Sequence, residues 1–259
     1  MEEPVKVNIT EGIARLTLNR PKAFNAFDKD LIGTLCDLLI GISRDQDISG
    51  VMIHGEGKCF CAGGNLKYIH ESGLPYGQAF HALAALFHQA VMEIRNMPKP
   101  VVAAMHGPAA GGGFSLALAC DFRIMEKSAT LLQAYTSNGL SIDGGGTYTL
   151  PRIVGIARAL EIAAFDRPIS SEQALSWGLV TEVVEDGQGV ARAMEILLDL
   201  KKRSRPSFAA SKKLLNASFH GSLETQLEKE RASLAECAEA SGREGIAAFI
   251  EKRKPVFDF

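Results

Sequence analysis

Apolar and polar positions first follow the period of a strand and then that of a helix. Residues 5–9 and 13–18 are short alternating runs rich in β-branched residues, and Glu11-Gly12 between them predicts a hairpin turn. Arg20-Pro21-Lys22 closes the second run. Asp28 is placed to cap a helix in which Leu31, Ile32, Leu35, Leu38, Leu39 and Ile42 recur at helical spacing. Residues 51–54 and 101–105 read as buried strands, because their apolar runs are close to continuous. The segment 80–96 between them predicts a helix closed by Pro98 and Pro100. An apolar helix ending at Ala119 follows three consecutive glycines. Further strands are expected at 122–125 and 180–184, and helices at 153–165 and 171–177. From residue 190 onward the pattern is nearly all helical, with breaks expected near Pro206, Gly221 and Gly242.

Strands that alternate with helices imply crossover connections and a largely parallel sheet, the α/β class. The helical last third suggests a separate layer or lid. The expected division is therefore a core domain over 1–200 and a C-terminal helical region over 201–259. A chain of 259 residues suits one large domain, or one with a small appendage.

Composition removes several function classes. Lys+Arg total 28 and Asp+Glu 30, so no basic field favours nucleic acid. No uncharged stretch is long enough to span a bilayer, and the polar, acidic N-terminal decapeptide does not read as a signal peptide, so no membrane association is expected. The five cysteines are odd in number and scattered, which fits free thiols in a reducing cytoplasm better than a disulfide framework. Cys59 and Cys61 form the one close pair, with no second pair or His cluster to complete a zinc set, so no metal is expected.

Candidate chemistry lies in two glycine-rich turns, each between a strand and a helix. Phe60-Cys61-Ala62-Gly63-Gly64-Asn65-Leu66 can expose main-chain N–H groups, since glycine lacks the Cβ that blocks approach. Gly111-Gly112-Gly113 opens a helix, whose N-terminus carries unpaired N–H groups and positive partial charge. Such donors suit a developing oxyanion. Tight packing turns would look the same. A phosphate-cradling loop is disfavoured, because no Gly-Lys-Ser/Thr follows.

The order of these turns, with their flanks, resembles the enoyl-CoA hydratase/isomerase (crotonase) family over nearly the whole chain. The matching landmarks are Asn19-Arg20-Pro21 with Asn25-Ala26, the first turn, residues 98–113 leading into Ala119-Cys120-Asp121, and the stretches 150–161 and 174–184. The resemblance implies a ββα superhelix with two near-perpendicular sheets and a C-terminal helical trimerisation region, assembled as a homotrimer or homohexamer. It implies an acyl-CoA thioester substrate whose carbonyl lies between the N–H groups of Gly64 and Gly112. Coenzyme A arrives as part of the substrate, so no separate cofactor is expected. Lys22, Ala23, Ala62 and Leu66 are placed along the CoA, although Lys22 could equally be a solvated lysine.

The chain departs from the family's hydratases at both of their glutamates. Those positions hold Ser115 and Tyr135. Ordinary hydroxyl groups ionise far above neutral pH and do not replace a carboxylate acid and base. Asp143, in Gly139-Leu140-Ser141-Ile142-Asp143-Gly144-Gly145-Gly146, resembles the single proton-shuttling carboxylate of the family's isomerases, with Ile142 where proline is usual. The same segment resembles 4-chlorobenzoyl-CoA dehalogenase, in which an aspartate at this position attacks the ring and a histidine matching His88 activates water. The expected function is an enoyl-CoA isomerase with Asp143 as proton shuttle. A hydratase with a different water-positioning set, a dehalogenase or hydrolase using Asp143 and His88, and an inactive binding homologue are the alternatives. From the residues alone, Asp143 could also be a helix cap and His88 an ordinary helix residue. Asp121 reads as a partner for main-chain donors, and His54 and His106 as structural.

Overall fold

The computed structural model of the chain describes residues 2–257. Two strands, β1 (Val5–Thr10) and β2 (Ile13–Leu18), form the expected hairpin, paired antiparallel from Val5 with Leu18 to Thr10 with Ile13. Helix α1 (Lys29–Arg44) follows, and the Asp28 side chain caps it by accepting the Leu31 N–H at 2.8 Å. Strand β3 (Gly50–Gly55) runs parallel to β2. A short helix α2 (Leu66–Glu71) and the long α3 (Tyr76–Asn96) lead to β4 (Val101–Met105), parallel to β3. After β5 (Pro108–Ala110) come α4 (Gly112–Ala119), β6 (Phe122–Glu126) and β7 (Thr130–Leu132). Then follow α5 (Gly146–Phe165), β8 (Ile169–Ser170), α6 (Ser171–Ser176), β9 (Glu182–Val184) and α7 (Gly189–Lys201). The chain ends in α8 (Arg205–Ala217), α9 (Leu223–Cys237) and α10 (Arg243–Ile250).

The strands make two sheets, one of six in the order β1-β2-β3-β4-β6-β9 and one of three in the order β5-β7-β8. The unbroken apolar runs are explained by burial on both faces of the larger sheet. Val51, Ile53, Val101 and Ala103 point into the main core with α1, α3 and α4. Met52, Val102, Ala104 and Ile124 point to the other side, where Ala193 and Leu197 of α7 cover them.

Three expectations need correction. Helix α3 begins at Tyr76 rather than 80, because Pro75 supplies an extended N-cap ahead of it. Helix α5 begins at Gly146 rather than 153, and it is kinked at Gly155, whose φ +75 and ψ 161 are not helical. Its first turns contain glycine and Pro151 and show no apolar period. Gly242 does not break the helical run, since it keeps helical dihedrals in a π-turn, Ala238–Gly242, that joins α9 to α10. Pro206 and Gly221 do mark ends, at the first turn of α8 and just before α9.

Asp121, at the end of α4, does accept a main-chain donor, the Val101 N–H at 2.8 Å. It also meets Lys212 of α8 at 2.7 Å, with the two side chains 16% and 6% exposed. Lys212 donates further to the carbonyls of Ile94 and Lys99. Burial pushes the Asp121 carboxyl up and the Lys212 ammonium down, and their mutual attraction opposes both shifts. Breaking such a pair leaves one charge buried without its partner. Lys212→Met is therefore expected to cost about 3 kcal/mol at neutral pH. The loss should shrink as the pH falls from neutral through the raised pKa of Asp121, where protonation neutralises the carboxyl and removes the penalty. Urea midpoints measured across that range check both the size and the sign.

Candidate active site

Two turns meet at the C-terminal side of β3 and at the start of α4, and their contact demands glycine. Gly63 has φ +86, and a Cβ on it would lie 2.7 Å from the Gly112 nitrogen. A Cβ on Gly113 would lie 2.1 Å from the Cys61 carbonyl oxygen. The Ala110 N–H donates to Cys61 at 2.9 Å, fastening the second turn to the first. Asn25, fully buried, clamps the first turn from behind. Its side-chain amide donates to the carbonyls of Cys59 and Glu56, and its oxygen accepts the Arg20 N–H. The Cys61 thiol donates to the Asn25 carbonyl, and burial holds both Cys59 and Cys61 well above the usual thiol range. The close cysteine pair is thus packing. Among the described residues no acceptor meets the N–H of Gly64 or of Gly112. Gly112 is the first residue of α4, so its N–H carries the positive end of that helix.

A third segment faces these donors. Asp166 anchors the chain entering it by accepting the N–H groups of Ala134 and Ser137, and the Leu140 N–H returns to the Tyr135 carbonyl at 2.9 Å. Gly144, at φ +61, packs so closely on Phe87 that a Cβ would stand 2.1 Å from the ring. Asp143 precedes it, and its carboxylate is 34% exposed. Capping is not its role. The N-cap of α5 is Gly145, without any side-chain capping bond. The carboxylate instead meets His88 of α3, with Nε2 to Oδ1 at 2.5 Å.

Gly64, Gly112 and Asp143 line one cavity of about 580 Å³, together with Ala62 and Leu66. Phe27 and Phe87, with ring centroids 4.9 Å apart, form an apolar floor beside Gly112. Such walls keep the dielectric low and strengthen any interaction with charge that develops there. Tyr135 also lines the cavity; burial raises its phenol above the ordinary value, and the neighbouring Asp143 charge adds to the effect. His88 is not in the lining and touches the site through Asp143. Lys22 and Ala23 lie outside the cavity, in a 3-10 turn that the Ala62 N–H joins through Phe24. Lys22 is solvent-exposed.

Sequence reasoning missed Phe27, Phe80, Leu83 and Ala84 of this lining. The α3 residues recur at helical spacing, but the same spacing marks any core helix. Tyr76 and Gly77 at the start of α3 also line the cavity, whereas Tyr68 lies elsewhere and no residue of α8, α9 or α10 reaches it. His54 pairs with Thr17 and His106 with the Gly57 carbonyl, as structural residues do. No group of three or more His, Cys, Asp or Glu side chains placed to hold a metal exists among the described residues.

Residues 8–258 match the family described as Enoyl-CoA hydratase/isomerase. The chain belongs to the enoyl-CoA hydratase/isomerase family. It is 33% identical to the 1,2-epoxyphenylacetyl-CoA isomerase of Escherichia coli strain K12, over 99% of each chain. It is 32% identical to a 4-chlorobenzoyl coenzyme A dehalogenase of Arthrobacter sp., over 76% of this chain and 71% of that protein. The crystal structure of an enoyl-CoA hydratase from Polaromonas sp. JS666 superposes with a TM-score of 0.93 at 35% identity, covering 98% of this chain and 99% of that one. The two sheets and C-terminal helices are therefore the crotonase fold, as the sequence resemblance implied. An enoyl-CoA hydratase/isomerase acts on acyl-CoA thioesters, and no helix among the described residues is long and apolar enough to cross a membrane.

Proposed function

We propose that this protein is an enoyl-CoA isomerase that moves a β,γ double bond into conjugation with the thioester. Asp143 takes a proton from C2 of the 3-enoyl-CoA. The electron pair delocalises onto the thioester oxygen, held by the N–H groups of Gly64 and Gly112. Asp143 then returns the proton to C4, leaving the double bond between C2 and C3. Proton and electrons balance without a co-reactant, so the reaction asks for no metal or redox group. The observation that carries this reading is that one carboxylate and two main-chain donors without acceptors share a single apolar cavity. His88, hydrogen-bonded to Asp143, orients the carboxylate. Ala62 and Leu66 border the path of the CoA, with Lys22 and Ala23 beyond them.

The His88 contact also favours a second reading, in which Asp143 attacks an aryl- or acyl-CoA as nucleophile and His88 serves the hydrolysis of the adduct. The Arthrobacter relative is named for such a substrate.

The reading extends to assembly and location. Large apolar side chains stand in solvent on the C-terminal elements, among them Leu234 at 73% and Phe249 at 84% exposed, with Leu223 and Ile250 similarly exposed. Surface of that kind marks an interface between chains. A homotrimer, or two trimers paired as a hexamer, would cover it. All five cysteines are free, which suits the cytoplasm.

Asp143→Asn should lower turnover of a 3-enoyl-CoA by about a hundredfold or more, the usual contribution of a proton-transferring group. Activity near the unmodified rate rules out the isomerase mechanism. Intact mass spectrometry during turnover of an aryl-CoA separates the second reading: the isomerase predicts an unmodified chain, whereas a stable increment on Asp143 supports the nucleophile. Sedimentation equilibrium should give three or six times the chain mass, and Phe249→Asp with Ile250→Asp should lower it. A monomer in the unmodified protein refutes the assembly.

A further inference from the structure

Ser115 occupies one of the positions at which the family's hydratases carry a glutamate, and its side chain is completely buried. The hydroxyl is turned toward the Asp143 segment. Its Oγ donates to the Asp143 carbonyl at 2.7 Å, an oxygen that also accepts the Gly146 N–H at 3.1 Å. The turn rests directly on the serine. A Cβ on Gly146 would stand 2.8 Å from Ser115 Oγ, and one on Gly144 would stand 3.0 Å from Ser115 Cβ.

We propose that Ser115 is a positioning residue whose hydroxyl, by fixing the Asp143 carbonyl, holds that residue's carboxylate toward both His88 and the cavity. The inference rests on Asp143 being the proton-transferring group. The carbonyl carbon is bonded to the Cα that carries the carboxylate side chain, so anchoring the carbonyl limits how far that Cα can shift or tilt. Two bonds to one oxygen, from α4 and from the start of α5, oppose such a shift. Tyr135, at the other glutamate position, lines the cavity next to both Asp143 and Ser115. The two places that hold the acid and base of a hydratase here form the seat of a different carboxylate. A longer side chain at 115 has to displace the turn, and Asp143 with it. The single-acid and two-acid arrangements therefore exclude each other in this chain.

The experiment is a double-mutant comparison of Ser115→Ala and Asp143→Asn on a 3-enoyl-CoA, with the fold of each variant checked by circular dichroism. Ser115→Ala should lower kcat about ten- to hundredfold, as small misplacements of a reacting group do, with KM and affinity for the 2-enoyl product unchanged. Ser115→Cys keeps a weak donor at a somewhat larger size, so its rate should fall between those of Ser115→Ala and the unmodified protein; it carries the comparison if the alanine variant does not fold. In the Asp143→Asn background the alanine change should alter the residual rate by less than about twofold, since nothing remains to position. An equal loss in both backgrounds, or a loss confined to KM, overturns the role of Ser115 while leaving Asp143 in place. A full rate in Asp143→Asn alone removes the premise, whatever Ser115→Ala does.

Discussion

The close approach of two main-chain turns is the constraint on which the site depends. The Cys61 carbonyl lies where a Cβ on Gly113 would be, and the Gly112 nitrogen lies 2.7 Å from where one on Gly63 would be. No other residue type permits that spacing, and without it the N–H groups of Gly64 and Gly112 do not border one cavity. The surroundings maintain the contact from both sides. Asn25 and Cys61 hold the first turn, and the start of α4 is roofed by Phe27 and Phe87. The parallel strands β3 and β4 deliver both turns to the same end of the sheet.

Against this fixed pair of donors the chain sets a carboxylate whose position is less local. Asp143 depends on Asp166 for the entry of its segment, on Phe87 for the seat of Gly144, on Ser115 for its carbonyl and on His88 for its side chain. These contacts come from α3, α4 and the end of α5. On the mechanism proposed above, keeping the donors and varying this segment would change the reaction while the thioester is held in the same way.

Much of the fold was legible because burial leaves a periodic trace. The runs 51–54 and 101–105 announced central strands, and the spacing from Leu31 to Ile42 announced α1. The short strands β5, β7 and β8 were not legible, because two or three residues carry no period and depend on partners supplied by distant segments. The start of α5 was hidden by its glycines. At the site, the glycine turns showed themselves as motifs, and Asp143 and His88 were marked by family resemblance. Their contact joins residues 55 positions apart and follows from no local rule. Neither did spacing reveal that Ser115 bonds the Asp143 carbonyl, because a buried serine in an apolar helix looks like simple packing.

The Asp121 and Lys212 contact has a consequence for biogenesis. The lysine is made 91 residues after its acidic partner. While the ribosome extends the intervening chain, the end of α4 carries a carboxylate with no ammonium to meet it, and that end of the core has reason to stay hydrated. Only when α8 emerges can the region dry and close. Closure of this corner of the core is in this way timed by α8, which is synthesised well after both donor turns.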